Sequence, residues 1–306
     1  MNISFIFLQL KNLIRFFYRL YLGFFYGQYM LHKLINKYKK TDDNDEVEFV
    51  SFLKIHKNEA KYLYLKDVVP FIFLFGNDFV FNYFKKKYKI SYFENMPYVM
   101  YKKHPIFMPQ DMSEYSIIHY IRGIEIEQDK KSPHCYFPDL IDLKDKVLVD
   151  IGAAEGNFAI EYIDDIKSLY LFEADQKWIR PLSLTYRQWL GKVKIINSLI
   201  GDGSKNTLSL DYYFRNCNQI DLIKMDVEGA ECDVIKGALN IISKFDLIVL
   251  LVCLYHYENQ EVDVLDMLKE MDVRYRKGKM WFFTDKDSNI SLRHGVAEFK
   301  KLKNTQ

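Results

Sequence analysis

The strongest constraint on the fold is a regular alternation of short apolar runs with helical patterns that begins at residue 142. Strands that alternate with helices predict a mostly parallel sheet with helices on both faces, a doubly wound α/β fold. In such sheets ligands bind outside the carboxyl ends of the strands. The predicted strands are 146–150, 169–172, 193–196, 222–225, 247–254 and 281–283, and the predicted helices are 178–189, 232–242 and 262–271.

The first forty residues differ from the rest in their aromatic content, with ten Phe or Tyr residues among the first thirty. Lys11, Arg15 and Arg19 recur every four residues and would form one stripe on a helix. They interrupt the apolar run, and the uncharged stretch 20–32 is shorter than the roughly 20 residues that span a bilayer. The segment predicts a basic amphipathic helix that either lies on a membrane surface or docks on its own domain or on a second copy.

The sequence pattern of residues 41–141 does not favour one type of secondary structure. A charge reversal at 37–46 is typical of a linker, and prolines interrupt the short apolar runs that follow. We therefore expect an accessory or cap region of short helices and strands, so that residues 1–141 as a whole are mixed and largely helical. The predicted domains are 1–40, 41–141 and 142–306.

Charge and cysteine content limit the partners and the compartment. Lys+Arg 43 against Asp+Glu 41 leaves a formal charge of +2, without the basic excess that phosphate-backbone contacts would require, so nucleic acid is not expected. The four cysteines form no CxxC pair and show no spacing to histidine that is typical of a zinc site. Isolated cysteines indicate a reducing compartment. We expect a cytoplasmic protein, with peripheral contact at the inner face of the membrane as the open alternative.

The turn after the first predicted strand of the sheet indicates a nucleotide-type ligand. Asp150 precedes Gly152 and Gly156, and small residues are needed where the backbone must approach a cofactor closely. NAD enzymes use a G-x-G-x-x-G turn instead. Glu173 ends the next predicted strand, where nucleotide-binding sheets place an acid that accepts hydrogen bonds from ribose hydroxyls. NAD enzymes share this acid, so it does not separate the two classes.

Three motifs follow one another along the predicted sheet, at 150–158 (D-I-G-A-A-E-G-N-F), 172–175 (F-E-A-D) and 223–231 (I-K-M-D-V-E-G-A-E). Together they resemble the FkbM-type methyltransferases, which use S-adenosylmethionine, and 127–136 and 254–256 resemble one bacterial branch of that family. The resemblance covers about 125–284, and the N-terminal 120 residues carry no match. Ala154 replaces the middle glycine of the first motif.

The resemblance implies a seven-stranded, Rossmann-like methyltransferase sheet, S-adenosyl-L-methionine as the cofactor, and transfer of a methyl group to a hydroxyl. The implied acceptor is a small molecule or sugar, including a surface polysaccharide or its precursor. Two alternatives stay open: an NAD-dependent oxidoreductase or nucleotide-sugar enzyme on a Rossmann fold, and a non-catalytic binding protein on a decayed methyltransferase fold. The implied cofactor-binding residues are Asp150, Gly152, Ala153, Ala154, Glu155, Gly156, Asn157, Glu173, Ala174, Asp175, Ser198 and Asp226.

A general base is expected near the methyl group, since a sugar hydroxyl is a poor nucleophile until its proton leaves. Asp226 and His256 end neighbouring predicted strands and are the two candidates, with Glu228 as a further catalytic residue. These three side chains could also bind a divalent ion, but nothing in their spacing requires one, and no metal is assigned.

Three other residues allow two interpretations each. Glu231 lies near a helix start, where an acid favours the helix dipole, or belongs to the catalytic group. His134 contacts cofactor or acceptor, or lies in a turn beside a proline. Trp178 stacks on the adenine or packs in the core.

Overall fold

The computed structural model describes residues 88–128, 134–136, 141–275, 279–283 and 290–301. The amphipathic helix predicted over 1–40 and the helical character of residues 1–87 lie outside this part. The chain divides into two compact units, Met1–Tyr88 with Trp281–Leu292 and Lys89–Met280 with Arg293–Gln306. The domain limits at residues 40 and 141 stay predictions.

The second unit begins with a small antiparallel sheet and a helix. Strands β1 (Ile90–Phe93), β2 (Met96–Tyr101) and β3 (His104–Phe107) pair in chain order, and helix α1 (Glu114–Glu127) follows. The backbone amide of Phe107 donates a 3.0 Å hydrogen bond to the Thr185 hydroxyl. This bond links β3 to the end of the helix Ile179–Thr185.

A seven-stranded sheet forms the centre of the second unit, and its strands run in the order β6-β5-β4-β7-β8-β12-β9. The pairs from β6 to β8 are parallel, while β12 is antiparallel to both of its neighbours. Two further strands, β10 and β11, form a separate two-stranded sheet. The bounds are β4 Val147–Ile151, β5 Ser168–Glu173, β6 Val193–Asn197, β7 Leu222–Met225, β8 Val249–Cys253, β9 Met271–Tyr275, β10 Lys279–Phe283, β11 Ile290–His294 and β12 Val296–Lys301.

Short helices connect these strands. They are α2 Asn157–Ile160, α3 Ile179–Thr185, α4 Leu210–Tyr213, α5 Glu231–Lys236, α6 Leu239–Lys244 and α7 Gln260–Met267, with 3-10 turns at Gln176–Trp178 and Arg187–Trp189. The single helix predicted over 232–242 is in fact two, α5 and α6, divided at Gly237. A Cβ on Gly237 would lie 2.0 Å from the carbonyl oxygen of Gly201, so a loop backbone packs directly on the point where the helix is interrupted.

The α/β fold class with a mostly parallel seven-stranded sheet is confirmed, and the first five predicted strands lie in that sheet. The strand predicted over 281–283 lies instead in the two-stranded sheet as part of β10. Strands β9 and β12 were missed. Charged residues interrupt the apolar pattern of both, and the burial of Glu298 in β12 could not be read from its charge.

The central strands β4, β7 and β8 are buried along their whole length, as expected when helices cover both faces of a parallel sheet. In the part of the chain that the structure describes, no helix has the length and apolar character needed to cross a membrane.

Strands β5 and β6 lie on one side of β4 in the sheet, and β7 and β8 lie on its other side, so the strand order reverses between β4 and β7. The carboxyl ends of β4 and β7 therefore flank the crevice where ligands bind in this architecture. Gly152, the first residue after β4, lies against the backbone that follows β7. A Cβ on Gly152 would lie 1.8 Å from the carbonyl oxygen of Asp226, and its φ of +72° is one that side chains disfavour.

Replacing Gly152 with alanine should therefore lower the free energy of unfolding by at least about 3 kcal/mol, or prevent folding. Gly123→Ala is the matched control. Gly123 lies inside α1 with open space around its α-carbon, so alanine there should raise stability by about 0.5–1 kcal/mol. Urea unfolding followed by circular dichroism measures both changes, and a Gly152→Ala protein as stable as the parent would contradict the close contact.

Candidate active site

The turn after β4 alternates residues with positive φ. Gly152, Ala154 and Gly156 have φ values of +72°, +44° and +79°. The amides of Gly152 and Ala153 both donate to the carbonyl of Phe172, at 2.9 and 3.1 Å, which fixes the turn against β5. Ala154 therefore adopts a left-handed conformation at the position where the resembling motif has glycine, and its Cβ makes that conformation cost roughly 1–2 kcal/mol.

Glu173, the last residue of β5, joins the turn to the loop that follows its own strand. Its Oε2 accepts from the amide of Ala154 at 2.8 Å, and its Oε1 accepts from the amide of Asp175 at 2.7 Å. The side chain is buried. Each carboxylate oxygen keeps a second lone pair, so the predicted role toward ribose hydroxyls is compatible with these two bonds.

Asp150 and Lys224 form a buried ion pair across β4 and β7. The Lys224 ammonium lies 3.0 Å from Asp150 Oδ1 and donates to the carbonyl of Gly152 at 2.7 Å. Burial disfavours the charge on Lys224, but the carboxylates of Asp150 and Asp226 outweigh it and raise its pKa. Asp150 Oδ2 is buried and accepts no hydrogen bond from the described residues, so it is available to a ligand.

The other predicted cofactor residues lie along the same edge. Asp175 is exposed and caps the 3-10 turn at Gln176–Trp178. The Ala174 carbonyl accepts from the Asn197 side chain, and Ser198 follows β6, with its amide bound to the carbonyl of Glu173. Asn157 is buried as the first residue of α2. The structure thus brings these positions to the carboxyl ends of β4, β5 and β6.

Glu155 is also buried, and its Oε2 accepts a 2.6 Å hydrogen bond from the hydroxyl of Tyr120 on α1. Burial raises the pKa of Glu155 to about 7, with the hydrogen bond from Tyr120 opposing the rise. The ring of Trp178 is buried with its centroid 5.5 Å from that of Tyr120. This contact is the packing role that the sequence left open for Trp178.

Asp226 and His256 meet at the ends of β7 and β8, as predicted. His256 Nε2 lies 3.3 Å from Asp226 Oδ1, and the hydroxyl of Tyr136 donates to Asp226 Oδ2. Burial favours the neutral carboxyl, but hydrogen bonds from His256 and Tyr136 and the charge of Lys224 outweigh it and hold the pKa of Asp226 well below its usual range. Asp226 is therefore ionised.

The other side of the His256 ring faces Glu231, the first residue of α5. Glu231 is fully buried, its Oε1 lies 2.9 Å from His256 Nδ1, and it accepts from the amide of Val227 at 3.0 Å. Burial disfavours the imidazolium, but hydrogen bonds to Asp226 and Glu231 raise the pKa of His256 to about 10. Glu231 thus does more than favour the helix dipole, because it orients the ring.

Glu228 lies beside this pair but faces solvent. Its side chain is 92% exposed, and its Oε2 is 3.8 Å from His256 Nε2. The residue has a φ of +54°, and the following Gly229 has a φ of +101°, so the loop doubles back at this point. A Cβ on Gly229 would lie 3.6 Å from the Cβ of His256, which shows how closely the loop passes the ring.

Several residues of the site were not predicted from the sequence. Lys224 and Tyr136 lie in segments that resemble the family, and nothing else in the sequence indicated that they belong to the site. Nothing in the sequence indicated a role for Gln260. Its Oε1 accepts from the His256 amide at 2.6 Å, and its Nε2 donates to Glu231 Oε2. His134, by contrast, was considered from the sequence with two possible roles. It is buried and hydrogen-bonds with the hydroxyl of Tyr255, and burial lowers its pKa to about 4.

The residues present fit S-adenosylmethionine in their chemistry. Five carboxylates lie along the ends of β4, β5 and β7, and Lys224 and His256 supply positive charge among them. A cofactor that carries a sulfonium and an ammonium group suits such an acidic edge. Asp150 Oδ2 offers a buried acceptor with no partner in the described residues. The five are Asp150, Glu155, Glu173, Asp226 and Glu228.

The strand order, the turn after β4 and the acid that ends β5 define a Rossmann-like α/β fold. Residues 199–278 match the family model of the Methyltransferase FkbM domain. This segment is about a quarter of the chain and contains Asp226, Glu231 and His256, but not the turn after β4. The resemblance predicted from the sequence is confirmed over these residues. No curated protein matches the sequence.

Solved structures with a similar fold include several methyltransferases. An FkbM methyltransferase from Methylobacillus flagellatus KT is 15% identical, with 84% of this chain and 71% of that chain covered and a TM-score of 0.40. A putative transferase from Pyrococcus horikoshii is 12% identical, with 68% and 72% covered and a TM-score of 0.43. TrmK from M. capricolum, in complex with S-adenosyl-homocysteine, is 16% identical, with 52% and 63% covered and a TM-score of 0.33. Similarity at this level does not bear on substrate or mechanism.

The raised pKa of Glu155 makes a prediction about stability. Glu155 faces Tyr120, Lys224, Asp150 and Glu127, and its ordinary pKa is 4.5 against about 7 in the fold. The folded chain keeps the proton longer than the unfolded chain, so this group lowers stability as the pH rises from about 4.5 to about 7.

Glu155→Gln should remove that loss while its amide oxygen still accepts from Tyr120. The free energy of unfolding of Glu155→Gln relative to the parent should rise between pH 4.5 and pH 7.5 by on the order of 3 kcal/mol. Urea unfolding across this range tests it. A difference that stays constant with pH would show that Glu155 is ionised in the fold.

Proposed function

We propose that the chain is an S-adenosylmethionine-dependent O-methyltransferase that methylates a hydroxyl of a sugar or another small hydroxylated molecule, including a surface polysaccharide or its precursor. One observation carries the proposal: the turn at 152–156 and the carboxylate of Asp226 lie at adjoining strand ends, with the backbone of Gly152 against the carbonyl of Asp226. Methyl transfer needs the donor and the acceptor to be held together at one place, and this edge offers both positions.

S-adenosylmethionine supplies, when bound, an electrophilic methyl group on a sulfonium. Asp150 and Glu173 would hold the polar groups of this cofactor, because both are buried and keep free lone pairs. Two backbone amides fix the carboxylate of Glu173, and the Lys224 ammonium fixes that of Asp150. Gly152 and Gly156 let the turn pack against the backbone of Asp226 and the ring of Tyr186, which fixes the turn that the cofactor would contact. The assignment of these residues to the cofactor is inferred from their placement.

Asp226 is the best placed group to take the proton of the acceptor hydroxyl. Its side chain is ionised and one-fifth exposed, so an acceptor can reach it. The proton of a hydroxyl becomes strongly acidic as the oxygen forms a new bond to carbon. A weakly basic carboxylate is then able to accept this proton. General-base assistance of this kind contributes roughly 10²- to 10⁴-fold.

His256 has a different role in this arrangement. Its two ring nitrogens face Asp226 and Glu231, so a ring that carries both protons bridges two carboxylates and has no free lone pair for a substrate. We infer that His256 positions Asp226. Of the two bases considered from the sequence, the geometry favours Asp226.

Cofactor binding can be tested without knowledge of the acceptor. S-adenosylhomocysteine should raise the melting temperature of the protein, and NAD⁺ should not. Asp150→Asn and Glu173→Gln should each weaken S-adenosylhomocysteine binding at least about 10-fold, since each loses a buried charged acceptor. Asp246→Asn is the control, because this carboxylate is 92% exposed at the far end of α6. Calorimetry measures the affinities.

The outcomes separate the three classes of function. Stabilisation by NAD⁺ alone would favour the oxidoreductase. Stabilisation by neither ligand would favour a non-catalytic binding protein. Equal S-adenosylhomocysteine affinity in all three variants would overturn the assignment of Asp150 and Glu173.

Asp226→Asn tests the proton acceptor. The amide keeps the shape of the side chain, so S-adenosylhomocysteine affinity should stay within a few-fold of the parent, while methyl transfer should fall at least about 100-fold. Transfer of labelled methyl groups from S-adenosylmethionine to a panel of saccharides gives the rate. Asp233→Asn, an exposed residue of α5, should leave it unchanged. Unaltered turnover in Asp226→Asn would exclude the role.

A further inference from the structure

Three side chains beside the proposed methyl-transfer site place oxygen and nitrogen donors around one point. One donor atom each of Asp226, Glu228 and His256 lies within 4.8 Å of the other two. In the two pairs that include the histidine, the atoms are His256 Nε2 with Asp226 Oδ1 and His256 Nε2 with Glu228 Oε2. The nitrogen is 3.3 Å from the oxygen of Asp226 and 3.8 Å from that of Glu228.

These separations suit a shared metal ion. Two donors that are each about 2.1 Å from a metal lie about 3.0 Å apart at a right angle and about 4.2 Å apart on opposite sides. Both measured distances fall between these limits. One ion can therefore reach all three donors with small rotations of the side chains.

The far side of the His256 ring provides an independent observation. Metal-binding histidines usually donate their second ring N–H to a carboxylate, which turns the other nitrogen toward the metal. Here Glu231 takes that place, 2.9 Å from Nδ1 and fully buried. Glu231 is itself fixed by the amide of Val227 and the side chain of Gln260. The ring is thus held with Nε2 directed at Asp226 and Glu228. An ion bound there would replace the proton that Nε2 carries in the metal-free protein, because a histidine ligand must be neutral.

A second group of donors nearby does not offer a comparable site. His134, Asp226 and Cys253 also lie within 4.8 Å of one another. The His134 nitrogen Nε2 already hydrogen-bonds with the hydroxyl of Tyr255, and Cys253 is fully buried against the hydroxyl of Tyr136. An ion would have to displace these contacts in a closed part of the core.

We propose that Asp226, Glu228 and His256 bind a divalent first-row transition-metal ion such as Mn²⁺, with Glu231 as the positioning residue of the histidine. One imidazole and two carboxylates suit such an ion better than Mg²⁺ or Ca²⁺, which take oxygen ligands. The sequence left open whether these three residues bind a divalent ion and assigned none, and the metal site goes beyond that prediction.

The ion would keep open positions on its solvent side. Glu228 is 92% exposed, so a cation held there stands at the mouth of the site. Two neighbouring hydroxyl oxygens of a polyol would fill two of these positions and orient the acceptor beside Asp226. This role in substrate selection rests on the proposed methyltransferase function, whereas binding of the ion does not.

Direct titration with Mn²⁺ tests the site. The full-length protein, treated with a chelator and then freed of it, is titrated without cofactor or acceptor, and free Mn²⁺ is followed by electron paramagnetic resonance. One saturable ion per chain is expected. Glu228→Gln should weaken binding at least about 10-fold, and Glu231→Gln about 10- to 100-fold. Glu258→Gln, an exposed acid of the same loop as His256, should bind like the parent.

Affinity for S-adenosylhomocysteine provides the second readout. It should be the same in Glu231→Gln and the parent, which a loss of fold would not allow. Glu228→Gln changes an exposed side chain, so the proposal stays testable even if Glu231→Gln does not fold. The absence of saturable binding by the parent, or equal affinity of Glu228→Gln and Glu258→Gln, would overturn the metal site.

The two proposals fail in different ways. Mn²⁺ binding without S-adenosylhomocysteine binding would leave the metal site in place and remove the methyltransferase function. Methyl transfer that proceeds in the presence of chelator, by a protein that binds no Mn²⁺, would do the reverse.

Discussion

The buried ion pair between Asp150 and Lys224 is the interaction on which the site depends. It joins the two strands that flank the crevice, and the same ammonium holds the carbonyl of Gly152. Removing one partner of a buried pair leaves an uncompensated charge and costs about 3–5 kcal/mol. Lys224 therefore fixes the position of the turn after β4 relative to Asp226, so one contact sets the position of both strand ends.

A second set of buried groups organises the other half of the edge. Glu231 receives the amide of Val227, the ring of His256 and the side chain of Gln260, so one carboxylate links the loop after β7, the end of β8 and the start of α7. Glu231 and Gln260 bond to each other and to backbone groups, as buried polar side chains generally do. The result is a fixed His256 next to a reachable Asp226.

Much of this could be predicted from the sequence, and the exceptions have physical causes. The runs that became β4, β7 and β8 are apolar because both faces of the sheet are covered there, so these strands could be predicted from the local sequence. β9 and β12 carry charged residues, and only long-range pairing makes them strands. Within the site, Asp226 and His256 could be placed at neighbouring strand ends, but the burial of Glu231 and the contribution of Gln260 depend on contacts between distant segments.

The contact between Gly152 and the carbonyl of Asp226 has a consequence for the order of events in the site. With no side chain between them, the two loops are in direct backbone contact, so we expect a ligand that fixes the turn after β4 also to fix the carboxylate after β7. For the proposed methyltransferase, this contact predicts an ordered sequence, in which the donor binds first and completes the surface that the acceptor contacts.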